Sequence, residues 1–402
     1  MSKALFPILC IVVAALTLLG CSSGTSHYSG GSGFTTQFVA VADLNGGGGL
    51  DILTANAVFE DGASVPGFLT ARLQDPSTPG SFLDPLRSDA GIDPLAIGVG
   101  DIDGDGRPDA LVANYRADSG TYAVDIQLQS TTAAGTFLAP RRLSVGTRRP
   151  LDVALADLKG EGRLDIVVAA RGQHDVLVFF HDTAPGTFLS PVSIPLSADP
   201  ASIAVAHLTG SGTPDIVAAL ASGKVAVLRH GSVAGTFQTP VDYQTGADPA
   251  CVKVADLDQD GHPDILTANY SNGRGGLSLL RQDPLSPGTF QAALTLDVGD
   301  YGSASLAIDD LDGDGHPDVV VANAGLPGDP GTVAVFLQDP VHLGTLLEPD
   351  LYRGYVGPLS IAIADLKGDG HPALVVADGS PAIRWPDPAS PGHFQAPVWL
   401  KQ

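Results

Sequence analysis

A sevenfold repeat constrains this chain more than any other feature of its sequence. A nine-residue segment rich in Asp recurs at spacings of 49 to 58 residues and opens at Asp43, Asp101, Asp157, His207, Asp256, Asp310 and Asp365. A second marker, Gly-Thr-Phe or a close variant, follows each segment and begins at Gly80, Gly135, Gly186, Gly235, Gly288, Gly344 and Gly392. Because the two markers recur in step, residues 34–402 are expected to form one array of seven similar units. The segments are called acidic loops 1 to 7 below, and their residues positions 1 to 9.

Each unit carries the pattern of four short strands. The first alternates large and small apolar residues, as in residues 153–156, and the second is almost continuously apolar, as in residues 319–322. A third apolar run follows, and a fourth strand is expected to start at the Gly-Thr-Phe marker, with prolines that suit an edge strand. No helical periodicity occurs beyond residue 20. The pattern predicts an all-β, seven-bladed β-propeller with four antiparallel strands per blade.

Two architectural alternatives follow from the same pattern. A parallel β-helix also has Asp- and Gly-rich repeats, but its coils are much shorter than these units. Ring closure has two solutions: residues 34–38 add a short strand to the last blade, or the seventh blade is complete in itself.

The N-terminus has the pattern of an export signal. Residues 1–20 combine a short basic start with an apolar run, as in a signal peptide. Cys21, preceded by Leu18 and Gly20, resembles the lipobox of bacterial lipoproteins, so lipidation of Cys21 is expected, with simple secretion as the alternative. A transmembrane helix is disfavoured because the run is at the short limit for a span. Residues 21–33 form a Gly/Ser-rich tether, and the expected location is the cell envelope, at the outer membrane or cell surface.

Acidic loops 2, 5 and 6 have the ligand pattern of a calcium site. Carboxylates at positions 1, 3, 5 and 9 and a backbone carbonyl at position 7 supply the oxygen ligands that Ca²⁺ prefers, whereas Mg²⁺ keeps more of its waters. An EF-hand is excluded because position 12 falls inside a strand instead of providing a Glu. The predicted ligands are Asp101, Asp103, Asp105, Arg107 and Asp109; Asp256, Asp258, Asp260, His262 and Asp264; and Asp310, Asp312, Asp314, His316 and Asp318, where Arg107 and the two His contribute backbone carbonyls.

The other acidic loops are degenerate copies. Two of them keep three ligand positions, Asp43, Asn45 and Asp51 in loop 1 and Asp157, Glu161 and Asp165 in loop 3. Loops 4 and 7 keep fewer, and Lys159 and Lys367 at position 3 are candidate built-in cations. We therefore expect about three Ca²⁺ sites and at most about five. The alternative is a set of solvated acidic turns without an ion.

These repeats resemble the FG-GAP/VCBS repeat family, whose best-known members are the seven-bladed propellers of integrin α subunits. The resemblance rests on the Asp-x-Asp-Gly-Asp-Gly-x-x-Asp loops and covers about residues 34–402. The Phe-Gly and Gly-Ala-Pro signature is degenerate and survives as Gly-Thr-Phe with scattered Ala-Pro and Thr-Pro. The resemblance implies structural cation sites and ligand binding on the opposite face, but not integrin-like recognition.

The opposite face is rich in Tyr and Arg. Connections alternate between the two ends of a blade, so loops from second to third strands and loops between units lie away from the acidic loops. Tyr and Arg are frequent binding hot spots. The alternative is that the Tyr fill wedges between blades and the Arg solvate turns. The candidate ligand-face residues are Tyr115, Arg116, Arg148, Arg149, Tyr270, Arg274, Tyr301, Tyr352, Arg353 and Tyr355.

The expected function is a non-catalytic, monomeric binding or adhesion module for a protein or glycan, touching the membrane only through its lipid. The net charge of −23, with 21 Lys and Arg, argues against nucleic acid as a partner. Gly-x-Ser-x-Gly and His-Glu-x-x-His motifs are missing from the sequence. The alternatives are a polysaccharide lyase or hydrolase, a lectin with pockets between blades, and a structural envelope component.

Overall fold

Seven four-stranded antiparallel sheets make up the described part of the chain, which a computed structural model gives as residues 33–60, 63–115, 122–210, 212–271, 274–299, 302–325 and 330–401. Each sheet uses four strands that follow one another in sequence and lie side by side in that order. The sheets are called blades 1 to 7 in chain order. The predicted all-β, seven-bladed propeller is confirmed.

Four successive strands belong to each blade, beginning with β1–β4 in blade 1 and ending with β25–β28 in blade 7. Their bounds are β1 Gly33–Ala42, β2 Asp51–Glu60, β3 Ala63–Arg72, β4 Leu86–Ile92, β5 Pro94–Gly100, β6 Asp109–Asn114, β7 Tyr122–Gln127, β8 Arg141–Gly146, β9 Arg149–Ala156, β10 Asp165–Arg171, β11 Asp175–Phe179, β12 Val192–Pro195, β13 Pro200–Ala206, β14 Asp215–Leu220, β15 Lys224–Leu228, β16 Val241–Gln244, β17 Pro249–Ala255, β18 Asp264–Ser271, β19 Arg274–Leu280, β20 Leu294–Asp297, β21 Ser303–Asp309, β22 Asp318–Asn323, β23 Gly331–Phe336, β24 Asp350–Tyr355, β25 Ser360–Ala364, β26 Ala373–Asp378, β27 Ser380–Arg384 and β28 Val398–Trp399.

The predicted leader, residues 1–20, and Cys21 lie outside the described residues. So does the predicted tether, residues 21–33, except for Gly33, the first residue of β1. No helix within the described ranges is long and apolar enough to span a membrane.

Burial falls from the inside of each blade to its outside. Second strands are enclosed on both faces, and all six residues of β22 are buried, whereas most of β20 is exposed. The core lies between blades, where Val333 of blade 6 packs in one cluster with Ile361 and Leu374 of blade 7. The apolar second strand and polar outer strand of the repeat follow from this arrangement.

The ring closes by contacts between the first and last blades. The seventh blade is complete in itself, and residues 34–38 belong to β1, the first strand of blade 1. β25 packs beside β1, and the Gln74 amide donates to the Leu366 carbonyl at 2.7 Å. The Arg72 guanidinium donates to the Lys401 carbonyl at 2.6 Å. The first and last blades are therefore joined at one seam without strand exchange.

A belt of polar side chains joins the first strands around the axis. Each accepts a backbone N–H from the first strand of the next blade, which links neighbouring blades without strand pairing. The bonds are Ile203 N to Asp152 Oδ2 at 3.0 Å, Val252 N to Ser202 Oγ at 3.2 Å, Ile361 N to Ser305 Oγ at 3.4 Å and Val39 N to Ser360 Oγ at 3.3 Å.

The Gly-Thr-Phe marker precedes the fourth strand, so the prediction that the strand starts at the marker is wrong. In blade 2, Phe137 forms an isolated bridge with Gln129, and the strand begins only at Arg141. The marker glycine instead fits a close approach between blades: a Cβ at Gly186 would lie 3.4 Å from the Asp103 Cβ of blade 2. The marker therefore seats each blade against the acidic loop of the blade before it.

Candidate metal sites and the opposite face

All acidic loops lie at one end of the propeller, because each joins the first strand of a blade to the second. The connections from third to fourth strands, which carry the Gly-Thr-Phe markers, lie at the same end. This end is called the acidic face. The loops from second to third strands, and those between blades, form the opposite face.

Every acidic loop except loop 4, which opens with His207, curls around the carboxylate at its first position. In loop 2, the N–H groups of Asp105 and Gly106 donate to the Asp101 carboxylate at 3.0 and 2.9 Å. Gly106 has a φ of +87°, a left-handed conformation that favours glycine. The same bond from position 6 to position 1 recurs in loop 7, from Gly370 to Asp365 at 2.7 Å. The loop conformation therefore survives where the ligand set is incomplete.

The carboxylate at position 9 fastens the loop to the end of the third strand. Asp109 accepts the Ile102 N–H at 2.9 Å on one oxygen and the Gln129 N–H at 2.7 Å on the other. Both bonds recur at Asp318 in loop 6. A carboxylate oxygen can accept more than one bond, so this role is compatible with metal ligation.

In the part of the chain that the structure describes, three sets of carboxylate oxygens converge, one in each loop predicted to bind calcium, and the oxygens of each set lie within 4.8 Å of one another. The sets are Asp101, Asp103 and Asp109; Asp256, Asp258 and Asp260; and Asp310, Asp312 and Asp318. In loop 2, Asp105 pairs instead with the Arg107 guanidinium, a side-chain contact that the sequence did not predict.

The geometry of loop 5 fits a cation. Among the described residues, Asp258 Oδ1 and Asp264 Oδ2 are buried without a hydrogen-bond partner, and Asp264 is 1% exposed. Buried carboxylate oxygens are expensive unless a donor or a metal compensates them. A hard divalent cation held by several such oxygens is the partner that this chemistry favours.

Electrostatics favour a cation in all three loops. Burial raises the pKa of Asp109 to about 6, and the nearby Asp103 and Asp105 carboxylates add to the rise. Burial raises the pKa of Asp318 to about 6 and that of Asp264 to about 7, again with help from carboxylates in the same loop. Converging carboxylates thus resist ionisation, and a bound divalent cation would remove that resistance.

Acidic loop 3, a predicted but incomplete site, is filled by the protein's own basic side chains. His181 places Nδ1 2.7 Å from Asp165 and Nε2 3.1 Å from Glu161. The Lys159 ammonium lies 3.4 Å from the same Glu161 carboxylate. Two predicted ligands, Glu161 and Asp165, are thus held by His181 and Lys159. Asp157 accepts backbone N–H groups of its own loop, among them that of Glu161 at 2.9 Å.

The other degenerate loops differ from loop 3. In loop 4, His230 Nδ1 lies 2.7 Å from Asp215. In loop 7, the Lys367 ammonium lies over the Trp385 ring, 4.3 Å from its centroid. This contact differs from the predicted role of Lys367 as a built-in cation in place of the metal. In loop 1, the third tentative ligand, Asp51, is 3.5 Å from the Asn45 amide.

The second residue after the third strand was not among the predicted site residues, and it accompanies the loop type: every complete loop is paired with Gln, although the degenerate loop 1 has Gln as well. It is Gln in blades 1, 2, 5 and 6, His in blades 3 and 4, and Pro in blade 7. The Gln129 amide donates to the position 8 carbonyl of Pro108 at 2.8 Å, whereas each His contacts the position 9 carboxylate. The signal is readable: Gln stands eight residues before the marker Phe or Leu, and His seven.

On the opposite face, two predicted ligand-face residues, Tyr115 and Arg149, lie together with Tyr122. The Arg149 guanidinium donates to Tyr122 Oη at 3.0 Å and to Tyr115 Oη at 3.2 Å. Its central carbon lies 5.5 Å and 5.8 Å from the centroids of the Tyr115 and Tyr122 rings. Arg149 is exposed and both rings are partly exposed. These three residues are called the Tyr–Arg patch. Arg148, beside it, is held by Asp175, with Nη2 2.8 Å from the carboxylate.

Other predicted ligand-face residues fill seams between blades. Tyr355 is 2% exposed and accepts a hydrogen bond from Arg384 at 2.6 Å, so it is not part of an exposed ligand face. Tyr352 accepts the Phe394 N–H at 3.1 Å in the same seam. Tyr270 lies against Gly302, where a Cβ would come 2.3 Å from the ring.

Four candidate ligand-face residues remain. Arg353 is exposed, and its carbonyl accepts a bond from Arg384 at 2.7 Å. Arg274 is the first residue of β19. Arg116 and Tyr301 lie outside the described residues. The predicted ligand-face residues that the structure describes therefore do not form one exposed surface.

Solved structures with the same fold include carbohydrate-active proteins. The rhamnogalacturonan lyase YesW is 14% identical, with a TM-score of 0.53 over 92% of this chain and 75% of that one. A 6-phosphogluconolactonase-like protein from Bacteroides uniformis is 15% identical, with a TM-score of 0.58 over 83% and 92%. The rhamnogalacturonan lyase PL11 of Bacillus licheniformis is 14% identical, with a TM-score of 0.51 over 90% and 73%. At these identities the likeness concerns the fold alone.

A search of curated proteins found no significant match. A family model described as an FG-GAP-like repeat matches residues 101–168, 157–218, 207–267 and 310–376. The matched segments span acidic loops 2 to 7 and cover more than half of the chain. The chain belongs to the FG-GAP-like repeat family.

Proposed function

We propose that the protein is an exported, lipid-anchored and non-catalytic binding module whose propeller is stabilised by Ca²⁺ in acidic loops 2, 5 and 6. The observation that supports the metal is the convergence of three carboxylate oxygens within 4.8 Å in each of these loops. Asp101, Asp256 and Asp310 at position 1 would bind the ion together with the carboxylates that follow them. An ion bound there would tie the first two strands of a blade to the end of its third.

Calcium binding is tested by calorimetry and thermal unfolding of the mature chain. About three Ca²⁺ per chain are expected, and at a free concentration 100 times Kd each site would stabilise the fold by about 2.7 kcal/mol. Chelation with EDTA should lower the melting temperature, and Ca²⁺ but not added Na⁺ should restore it. Asp103→Asn should remove one site. The matched control is Asp369→Asn in loop 7, which should leave the stoichiometry unchanged. An unchanged melting temperature after chelation would overturn the assignment.

The proposed binding surface is the Tyr–Arg patch on the opposite face. A guanidinium has five N–H donors, and its two bonds to Tyr115 and Tyr122 leave the planar group available for a carboxylate or hydroxyl of a ligand. Aromatic rings beside it provide the flat contact on which a sugar ring or an aromatic side chain packs. These features support a protein or glycan ligand.

A glycan array probed with the Ca²⁺-loaded chain tests the glycan form of this proposal, and a bacterial surface-adhesion assay tests the protein form. Binding that is absent in both assays would contradict the module assignment. The alternative, a polysaccharide lyase on the same fold, is tested by incubating the protein with rhamnogalacturonan. Eliminative cleavage creates an unsaturated uronate that absorbs ultraviolet light, and its accumulation would replace the binding assignment with an enzymatic one.

A further inference from the structure

Gln259 has an unusual backbone conformation for its residue type. It occupies position 4 of acidic loop 5 with a φ of +56°. The other six loops have Gly at this position, with φ between 68° and 80°. Side chains with a Cβ are disfavoured in this left-handed region. A compensating interaction of the Gln259 side chain is therefore expected.

The Gln259 side chain reaches the acidic loop of the next blade. Its Nε2 donates to the Gly315 carbonyl at 2.6 Å, and its Oε1 lies 3.1 Å from His316 Nδ1. If the amide were flipped, Gln259 Oε1 would face the Gly315 carbonyl oxygen, and neither atom could donate. The amide N–H of Gln259 therefore faces Gly315. The bonded peptide, between Gly315 and His316, directly precedes the His316 carbonyl that is the expected ligand at position 7.

A second path joins the same two loops. Arg281, at the end of the third strand of blade 5, donates to the Gly344 carbonyl of blade 6 at 2.8 Å. The Gly344 N–H donates to the side-chain oxygen of Gln338, and the backbone N–H of Gln338 donates to the Asp318 carboxylate at 2.7 Å. Gly344 also lies beside loop 5, since a Cβ there would come 2.8 Å from the Asp258 Cβ. Position 3 of loop 5 is thereby connected to position 9 of loop 6.

We propose that acidic loops 5 and 6 form a coupled pair of cation sites, with Gln259 as the positioning residue that transmits occupancy between them. This inference rests on the proposed calcium binding. An ion in loop 6 would fix the His316 carbonyl and the peptide before it, and that peptide holds Gln259. Gln259 lies between Asp258 and Asp260, so its fixation orders two ligands of loop 5. The second ion then meets a site that is already ordered, which is positive coupling.

Acidic loop 2 provides an internal control. Its position 4 residue is Gly104, which has no side chain to reach the neighbouring blade. The next loop along the ring, loop 3, carries His181 and Lys159 against its carboxylates. Loop 2 is thus expected to bind its ion independently of the pair.

The test is calorimetric titration of Ca²⁺ into the mature chain and into variants with one loop silenced. Asp256→Asn with Asp258→Asn silences loop 5, and each titration is repeated with Gln259→Gly. Silencing loop 5 is expected to weaken Ca²⁺ binding at loop 6 about fivefold, at the lower end of typical coupling. In the Gln259→Gly background, silencing loop 5 should weaken binding at loop 6 by a smaller factor than in the Gln259 chain, because only the path through Arg281 remains. Loop 2 should be unaffected throughout.

Gln259→Gly is expected to fold, because glycine is the residue that the other loops use at this φ. Its melting temperature in EDTA, measured beside that of the wild type, separates coupling from damage to the fold. Two chains that keep Gln259 are compared, one with loop 5 intact and one with loop 5 silenced. If loop 6 binds Ca²⁺ with the same affinity in both, the coupling is overturned while calcium binding stays in place. Failure of both loops to bind Ca²⁺ in any chain would overturn the proposed function and the coupling together.

Discussion

Ala373 and Pro386 stand in blade 7 at the two positions that a hydrogen bond joins in each of the other six blades. Elsewhere an Asp at position 9 accepts the N–H of the second residue after the third strand. Proline has no N–H to donate and alanine has no carboxylate to accept it. Both partners are therefore replaced together, as expected if the position 9 carboxylate has a structural role besides any role as a ligand.

Asp215 allows this structural role to be measured without a metal, since loop 4 lacks the other carboxylates. It is 0% exposed and accepts the N–H groups of Leu208 and His230 at 3.1 and 2.8 Å. Asp215→Ala would leave these buried donors unsatisfied, so the free energy of unfolding should fall by about 3 kcal/mol. Urea unfolding in EDTA measures the loss.

Ala373→Asp is the mirror-image control for Asp215→Ala. It places a carboxylate at a fully buried position opposite Pro386, which has no N–H to donate. We expect Ala373→Asp to lower the free energy of unfolding, because the new carboxylate gains no hydrogen bond from Pro386. A gain in stability from Ala373→Asp, or no loss from Asp215→Ala, would refute the structural role.

Acidic loop 3 should become a calcium site when the His181 and Lys159 side chains that contact its carboxylates are replaced. Lys159→Asp supplies the missing position 3 carboxylate, and His181→Gln restores the residue found in blades with complete loops. The double variant is expected to bind one more Ca²⁺ per chain than the wild type in a calorimetric titration. Lys367→Asp in loop 7 is the matched control, because Ala373 still lacks the position 9 ligand. Unchanged stoichiometry in the double variant would show that the basic side chains are not what keeps the ion out.

Asp152 should make the stability of the ring depend on pH. It is fully buried, and burial raises its pKa to about 7, although bonds from Ile203 and Ser202 oppose the rise. Its pKa in the unfolded chain is about 3.9. The folded state therefore holds the proton more tightly, and the stability contributed by the protonated form is present below about pH 4 and is lost as the pH rises to about 7.

Asp152→Asn should flatten this dependence. The difference in unfolding free energy between the two chains, measured in EDTA at about pH 5 and about pH 8, is expected to shift in favour of the variant at the higher pH. EDTA excludes any contribution from cation binding by the acidic loops. A difference that stays constant over this range would mean that Asp152 does not titrate as proposed.

Arg149 should affect ligand binding without affecting the fold. Its side chain is exposed, so Arg149→Ala is expected to change the free energy of unfolding by less than about 0.5 kcal/mol. If the Tyr–Arg patch binds the ligand, affinity should fall at least about tenfold, as for a hot-spot residue. Arg353→Ala is the control, since Arg353 is also exposed but lies apart from the patch. Equal affinity in the two variants would remove the patch from the binding surface.

The strands and the acidic loops could be predicted because their information is local. Alternation in residues 153–156 and the apolar run in residues 319–322 each follow from the environment of one strand. The spacing of carboxylates in loops 2, 5 and 6 likewise lies within nine residues, and the structure brings these side chains together.

Contacts between blades could not be read from the sequence in the same way. Tyrosine is a residue type that is frequent at binding surfaces, but Tyr355 is covered by Arg384 of the next blade. The role of His181 depends on the end of a third strand lying beside position 9, a proximity that only the folded blade reveals. The start of the fourth strand was misplaced for a related reason, because the marker residues serve the neighbouring blade.

The seam between blades 7 and 1 bears on the order of assembly. The bonds that close it run from the Gln74 and Arg72 side chains to the Leu366 and Lys401 carbonyls, and from the Thr36 and Val39 backbone N–H groups to the Gly379 carbonyl and Ser360 Oγ. All of these groups belong to the protein. Neither adjoining acidic loop is among those whose carboxylates converge. The ring can thus be closed while the chain is still free of ions. Under the proposed calcium binding, the ions would bind afterwards and would stiffen separate parts of a ring that is already closed. A chain that crosses a membrane unfolded would then need no metal to reach its native topology.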